Sequence, residues 1–319
     1  MTKLPTAHVD TFVRDNLPPE SEWPELIFEL PEVNYPEHLN AANALLGADP
    51  TNPAILSSEK TWTYGEVRET ANKIANILVD DMGLLPGNRV LLHAPNCAMQ
   101  AACWLAILLA GGVVVATMPM LRARELEKII NKAEISHAFC HPGLSAEVNG
   151  ASEKTKSFNC IKTFDELEKE LTDKMAEFSA VQTFAHDPAL LAFTSGTTGV
   201  PKACVHFHRD IMAMADTFSR HILKPAQSEI FASTAPLSFT FGLGGLLVFP
   251  FQAGASTVLN ETVGIEGLAK DIEAFKVTTL FTSPTAYRAL LGCMDKYNLS
   301  SLKKCVSAGE TLPKATSDA

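Results

Sequence analysis

Residues 98–121, AMQAACWLAILLAGGVVVATMPML, contain no charged side chain. Such a run must either cross a bilayer or lie inside a folded body. Gly111-Gly112 splits it into a helix-like half and a β-branched half at 113–115, which predicts a buried helix, a turn and a buried parallel strand. A second uncharged stretch, 233–256, is broken by Pro236, Pro250 and four glycines, so neither stretch reads as a membrane span. The chain must therefore enclose a large core.

The rest of the pattern agrees. Residues 53–56 and 60–63 read as a short hairpin. Thr63 and Glu66 have capping-box spacing, and Val67, Ala71, Ile74, Ala75 and Leu78 line one face of the helix that follows. A strand is expected at 89–93, a helix at 122–133 with Leu126, Ile129, Ile130 and Ala133 inward, and a strand at 137–140. Residues 142–160 read as a linker or surface loop, followed by a helix in FDELEKELTDKMAEF with a solvated face at 165–174. A second strand–helix series starts at Ala189, with later strands at 256–259, 278–281 and 304–306. Strands alternating with helices predict an α/β fold with doubly wound parallel sheets. The organisation expected is an acidic, proline-broken extension over 1–50 wrapping the core, a first α/β unit over 51–187 and a second over 188–319.

A formal charge of −10 over 319 residues excludes a broad nucleic-acid footprint. It permits small anions, which a few oriented amides can hold. The seven cysteines include no C-x-x-C pair, and the start MTKLPTAHVD has no apolar signal segment. Reduced thiols and a cytoplasmic location are the expectation, with no metal cluster among the site residues.

Chemistry is concentrated in LLAFTSGTTGVPKACVHFHRD, residues 190–210. A buried strand, 189–194, runs into Ser195, Gly196, Thr197, Thr198, Gly199 and Val200 at the sheet edge where ligands of open parallel sheets sit. Glycines expose amides, hydroxyls add donors and Lys202 adds a cation, a combination suited to a polyphosphate. The spacing is not that of a Walker A loop. His206 and His208 are expected to share one face of a strand, packing beside the loop, and Cys204 is expected in the core.

T-S-G-T-T-G-V-P-K, from Thr194 to Lys202, resembles the signature loop of the adenylate-forming superfamily of acyl-CoA synthetases, adenylation domains and luciferases. TWTYGEVRETANKIANIL, LLAGGVVVATMP, FTSPTAYRALL and SAGETLP are similar to further segments of that family. The resemblance implies a layered αβαβα N-terminal domain and activation of a carboxylate with ATP and Mg2+, followed by transfer to coenzyme A. It implies that Thr194, Ser195, Gly196, Thr197, Thr198, Gly199 and Lys202 hold phosphates, with Thr197 and Lys202 catalytic. Gly309, Glu310 and Thr311 fall where the family contacts adenine. Phe239, Thr240, Phe241 and Gly242 fall in the wall of the acyl pocket. Phe239 stands where many members have His, an arrangement similar to benzoate- and 2-aminobenzoate-CoA ligases. No position matches the family's magnesium Glu, ribose Asp or C-terminal Lys, so the chain is expected to be the larger part of the N-terminal domain, truncated and without the lid domain. The partners implied are a small-molecule carboxylate, ATP and CoA, and the resemblance leaves a homodimer open. Competing readings are a non-catalytic nucleotide- or acyl-binding module and a ligase for another acid, such as a fatty acid.

Overall fold

The computed structural model describes residues 4–194, 201–261 and 264–319. Its twelve strands are β1 (Pro53–Leu56), β2 (Thr61–Thr63), β3 (Arg89–His93), β4 (Val113–Thr117), β5 (His137–Cys140), β6 (Cys160–Thr163), β7 (Pro188–Thr194), β8 (Lys202–Phe207), β9 (Ile230–Ser233), β10 (Ser256–Val258), β11 (Thr279–Thr282) and β12 (Lys304–Ser307). They form two six-stranded sheets, ordered β6-β5-β3-β4-β7-β8 and β12-β11-β9-β10-β1-β2. Within each sheet the strands run parallel except for one antiparallel edge pair, β7–β8 in the first and β1–β2 in the second. Each sheet draws strands from both sides of residue 187: β1 and β2 pair with the late strands, β7 and β8 with the early ones.

Period-two alternation builds the layers. In β3 and β4, Val90, Leu92, Val114 and Ala116 face one core cluster while Leu91, Val113 and Val115 face another. In the second sheet Phe231 and Phe281 join the first of these clusters, whereas Ala232 and Leu280 face a third. One shared core therefore lies between the sheets and an outer core covers the far face of each. Strands buried on both faces need no polar side, which is why β4 is uniformly apolar through Val115.

The uncharged run takes the expected form. Ala98–Leu109 is a helix with every residue from Met99 onward buried, and it packs on the capped helix Tyr64–Asn76. Gly111 makes the turn at φ 73°, a conformation that L side chains rarely adopt. The Thr63 hydroxyl accepts from the Glu66 amide at 3.2 Å, and the Glu66 carboxylate accepts from the Thr63 amide at 2.8 Å. Among the described residues no helix is long and apolar enough to cross a membrane.

Four local expectations are corrected. Residues 142–160 contain a helix, Ser145–Ser152, because Val148 and Ala151 bury against the helix Ala123–Ala133. The helix from Phe164 ends at Glu170, since Met175 beyond it is exposed and extends no buried stripe. The strand expected through His206 is β8, which returns antiparallel to β7. His208 leaves that strand: the Asp210 carboxylate accepts from the Phe207 amide at 2.9 Å and starts the helix His208–Met214. Cys204 is exposed, because its strand neighbours Ala203 and Val205 take the inward side. All seven cysteines are free thiols.

Candidate active site

Each sheet ends in a cleft at the carboxyl side of its strands. The first, about 350 Å³, is lined by Ala116, Thr117 and Met118 at the end of β4, Leu121, Glu125, Lys128 and Ile129, Phe193 and Thr194 at the end of β7, and Pro201, Ser238 and Phe239. The second, about 210 Å³, is lined by Ser233 and Thr234 after β9, Asn260, Ala286 and Asn96, among others. Residues 233–239 run between them, touching the second cleft at one end and the first at the other. Asn96 fixes this segment from the loop after β3: its side chain accepts from the Leu237 amide at 2.7 Å and donates to the Ala235 carbonyl at 3.3 Å.

Thr194 and Lys202 are paired residues at the loop end of the β7–β8 hairpin, both exposed. Ser195, Gly196, Thr197, Thr198 and Gly199 lie outside the described residues. The segment joining the hairpin thus leaves and returns at the rim of the first cleft, where Thr194 and Pro201 stand opposite Phe239.

The aromatic segment divides its work. Phe239 is 50% exposed and presents its ring to the first cleft. Its amide donates to the Pro236 carbonyl at 2.9 Å and its carbonyl accepts from the Leu243 amide at 2.8 Å, so the backbone is held while the ring is free. Thr240 opens the short helix Thr240–Leu243 and is exposed. Phe241 turns toward the shared core, with its ring centroid 5.4 Å from that of Phe281. Gly242 lies under the chain: a Cβ there would meet the Pro236 carbonyl oxygen at 2.1 Å.

Beside the second cleft, β12 runs into Gly309 at φ 93°. The Glu310 carboxylate accepts from the Thr285 amide at 3.0 Å and hydroxyl at 2.6 Å, which holds its pKa below the usual carboxylate value. Thr285 is in the first turn of the helix Pro284–Leu291, where a carboxylate also meets the favourable end of the helix dipole. Glu310 is therefore placed against the strand-to-helix turn whose Ala286 lines the cleft. Thr234, which lines that cleft, is hydrogen-bonded through its hydroxyl to the Thr282 hydroxyl.

His93 and Thr117 escaped the motif-based reading. His93, buried at the end of β3, pairs with Thr117 on β4, with Nδ1 2.8 Å from the Thr117 hydroxyl that borders the first cleft. Burial pushes the imidazole down to about 4, so it is neutral. The available signal was positional: a polar residue closing an apolar parallel strand at its ligand-facing end. Among the described residues no three His, Cys, Asp or Glu side chains gather as a metal-binding group.

Fold and site together define a layered α/β protein with paired ligand clefts at the strand ends. The family model for AMP-binding enzymes matches residues 44–319, and the chain belongs to that family. It is similar to the benzoate–CoA ligase of Thauera aromatica, 26% identical over 297 residues, covering 89% of this chain and 56% of that protein. An uncharacterized acyl–CoA ligase of Bacillus subtilis is 29% identical over 300 residues, covering 90% of this chain and 55% of that protein. Among solved structures, the anthranilate CoA ligase AuaEII in complex with anthranoyl-AMP superposes with a TM-score of 0.86 at 26% identity, covering 90% of this chain and 57% of that one. The chain spans a little over half the length of these relatives.

Proposed function

We propose that this chain supplies the adenylate-forming half-site of an aryl-CoA ligase. In that reaction a carboxylate oxygen bonds to the α-phosphorus of ATP, the bond from that phosphorus to the bridging oxygen breaks, and pyrophosphate leaves. The thiolate of CoA then attacks the acyl carbon and AMP departs. The carboxylate is already a nucleophile at neutral pH, so the protein's task is alignment and charge stabilisation. Thr194, Lys202 and residues 195–199 are assigned to the phosphates, with Thr197 and Lys202 in the catalytic role. Gly309, Glu310 and Thr311 are assigned to the adenine end. Mg2+ would neutralise phosphate charge, and an ion carried on phosphates needs few protein ligands.

The observation that carries the reading is the first cleft, where an exposed Phe239 ring shares a mainly apolar space with Thr194 and Pro201 of the signature loop, with Glu125 and Lys128 also in its lining. Flat walls suit an aryl acid such as benzoate or 2-aminobenzoate. The benzoate- and anthranilate-specific names among the relatives support the same class. Phe241 and Gly242 serve by seating Phe239. ATP–pyrophosphate exchange with benzoate, 2-aminobenzoate, octanoate and palmitate tests the proposal in the protein, alongside direct titration of each acid. Preference for the aryl acids supports it. Preference for the alkyl acids, or acid binding that ignores Phe239→Ala, overturns the aryl assignment.

A further inference from the structure

The N-terminal segment is fastened beside a buried pair of histidines that the proposed chemistry does not use. Asp187, immediately before β7, is the post. Its carboxylate accepts from the Thr6 hydroxyl, the Ala7 amide at 3.1 Å and the Phe184 amide at 2.9 Å. Its carbonyl accepts from the His208 amide at 3.2 Å. His8 follows directly in the segment, 5% exposed, with neither ring nitrogen hydrogen-bonded.

The tautomer of His208 is dictated by its partner. Its Nδ1 lies 3.1 Å from the Ala41 amide, and an amide N–H can only donate. Nδ1 must therefore be bare and the ring proton must sit on Nε2, which is buried without a partner. A second proton would place N–H against N–H. It would also put a positive charge at the first residue of the helix His208–Met214, the unfavourable end, in a site with no exposure at all.

The surrounding charges do not reverse this. Asp187 favours a proton on His208, while His8 opposes it. His208 is followed on its own helix by Arg209 and Asp210, which face each other at 3.8 Å. His8 is favoured by Asp187 and Asp10 and opposed by Arg14 and Arg89. His186 Nε2 lies 2.8 Å from the Pro5 carbonyl and donates to it.

We infer that His208 and His8 form an acid-sensitive latch: with both rings neutral, residues 4–40 stay docked against the segment before β7 and the start of the helix at His208, and protonation releases them. Burial supports this by holding His208 down to about 3 and His8 below the ordinary histidine value of 6.5. A released segment lets both rings take protons at ordinary values, so the open form binds more protons. Latch stability is complete above pH 6.5 and falls as the pH drops from there toward about 3.

Hydrogen exchange of the full chain between pH 7.5 and 5, corrected for intrinsic rates, tests the latch. Expected is an opening equilibrium of residues 4–40 that rises about tenfold per pH unit below 6.5 for each histidine engaged. The helix Ala98–Leu109 should stay protected throughout. His208→Gln retains an acceptor for Ala41 but cannot titrate, and should flatten the slope; His8→Gln should do so in part. Should His208→Gln fail to fold, the imidazole resonances of the unaltered protein decide, with depressed titration of both rings expected. A pH-independent opening, an unchanged slope in both variants, ordinary histidine titration, or opening only together with the whole core would overturn the proposal.

Discussion

Thr194 and Lys202 are direct partners across the antiparallel β7–β8 pair, one strand arriving at the signature loop and the other leaving it. Both side chains are exposed, and among the described residues no ion pair involves Lys202. Lys202→Ala should therefore leave the far-ultraviolet circular dichroism and melting temperature unchanged while weakening ATP binding. Loss of one charge-assisted contact to phosphate costs about 1.5–3 kcal/mol, or roughly 10- to 150-fold in Kd. Calorimetric titration with ATP measures it, and undiminished affinity would remove Lys202 from the phosphate site.

Phe239 and Phe281 should separate binding from stability. Phe281 is 1% exposed and its ring lies within 6.3 Å of the Phe231, Phe241 and Phe249 rings, so Phe281→Ala should cost about 3–5 kcal/mol. Phe239→Ala, at a half-exposed ring, should cost under about 1 kcal/mol and yet depress aryl-acid binding. Urea unfolding paired with titration of 2-aminobenzoate distinguishes the two.

Two glycines are fixed for different reasons. Gly242→Ala forces a methyl into the Ala235 and Pro236 carbonyl oxygens, at 2.7 and 2.1 Å, and should displace Phe239 along with costing about 1–3 kcal/mol. Gly309→Ala meets nothing within 4 Å but must adopt φ 93°, a conformational cost of about 1–2 kcal/mol with little rearrangement around it. Chemical denaturation gives both costs; aryl-acid affinity should fall only for the first.

Arg89 and Asp10 form a pair whose removal should loosen the start of the chain. The guanidinium, 3% exposed, also donates to the carbonyls of Ala133 and Glu134 at 2.7 Å and of Gly87 at 3.1 Å. For Asp10, burial works to raise the carboxyl, but bonds from the Phe12 amide and from Arg89 prevail and hold it below 3.8. Its contribution is thus present above pH 3.8 and lost as the pH falls through its depressed folded value. Asp10→Asn should remove that low-pH dependence, read from thermal melts between pH 5 and 2.5. Arg89→Met should lower the melting temperature throughout that range, because the Ala133, Glu134 and Gly87 carbonyls lose their donor and an ionised Asp10 loses its ion-pair partner.

The chain's one-dimensional pattern determined the strands and helices with strong periodicity. An uncharged run split by Gly111-Gly112 could bury only as helix, turn and strand, and Thr63 with Glu66 could cap only the helix that follows. The signature loop and its family were equally legible, since nine consecutive residues carry them. Pairing between distant segments was not. That β1 and β2 join the sheet of β9–β12 and that β8 returns antiparallel were decided by which apolar faces could be covered at once. The same competition split Phe239 from Phe241, two residues apart, sending one ring to a cleft and the other to the Phe281 core. Local sequence sets which conformations a segment can adopt; only packing against residues far away in the chain sets which of its side chains remain free to meet a ligand.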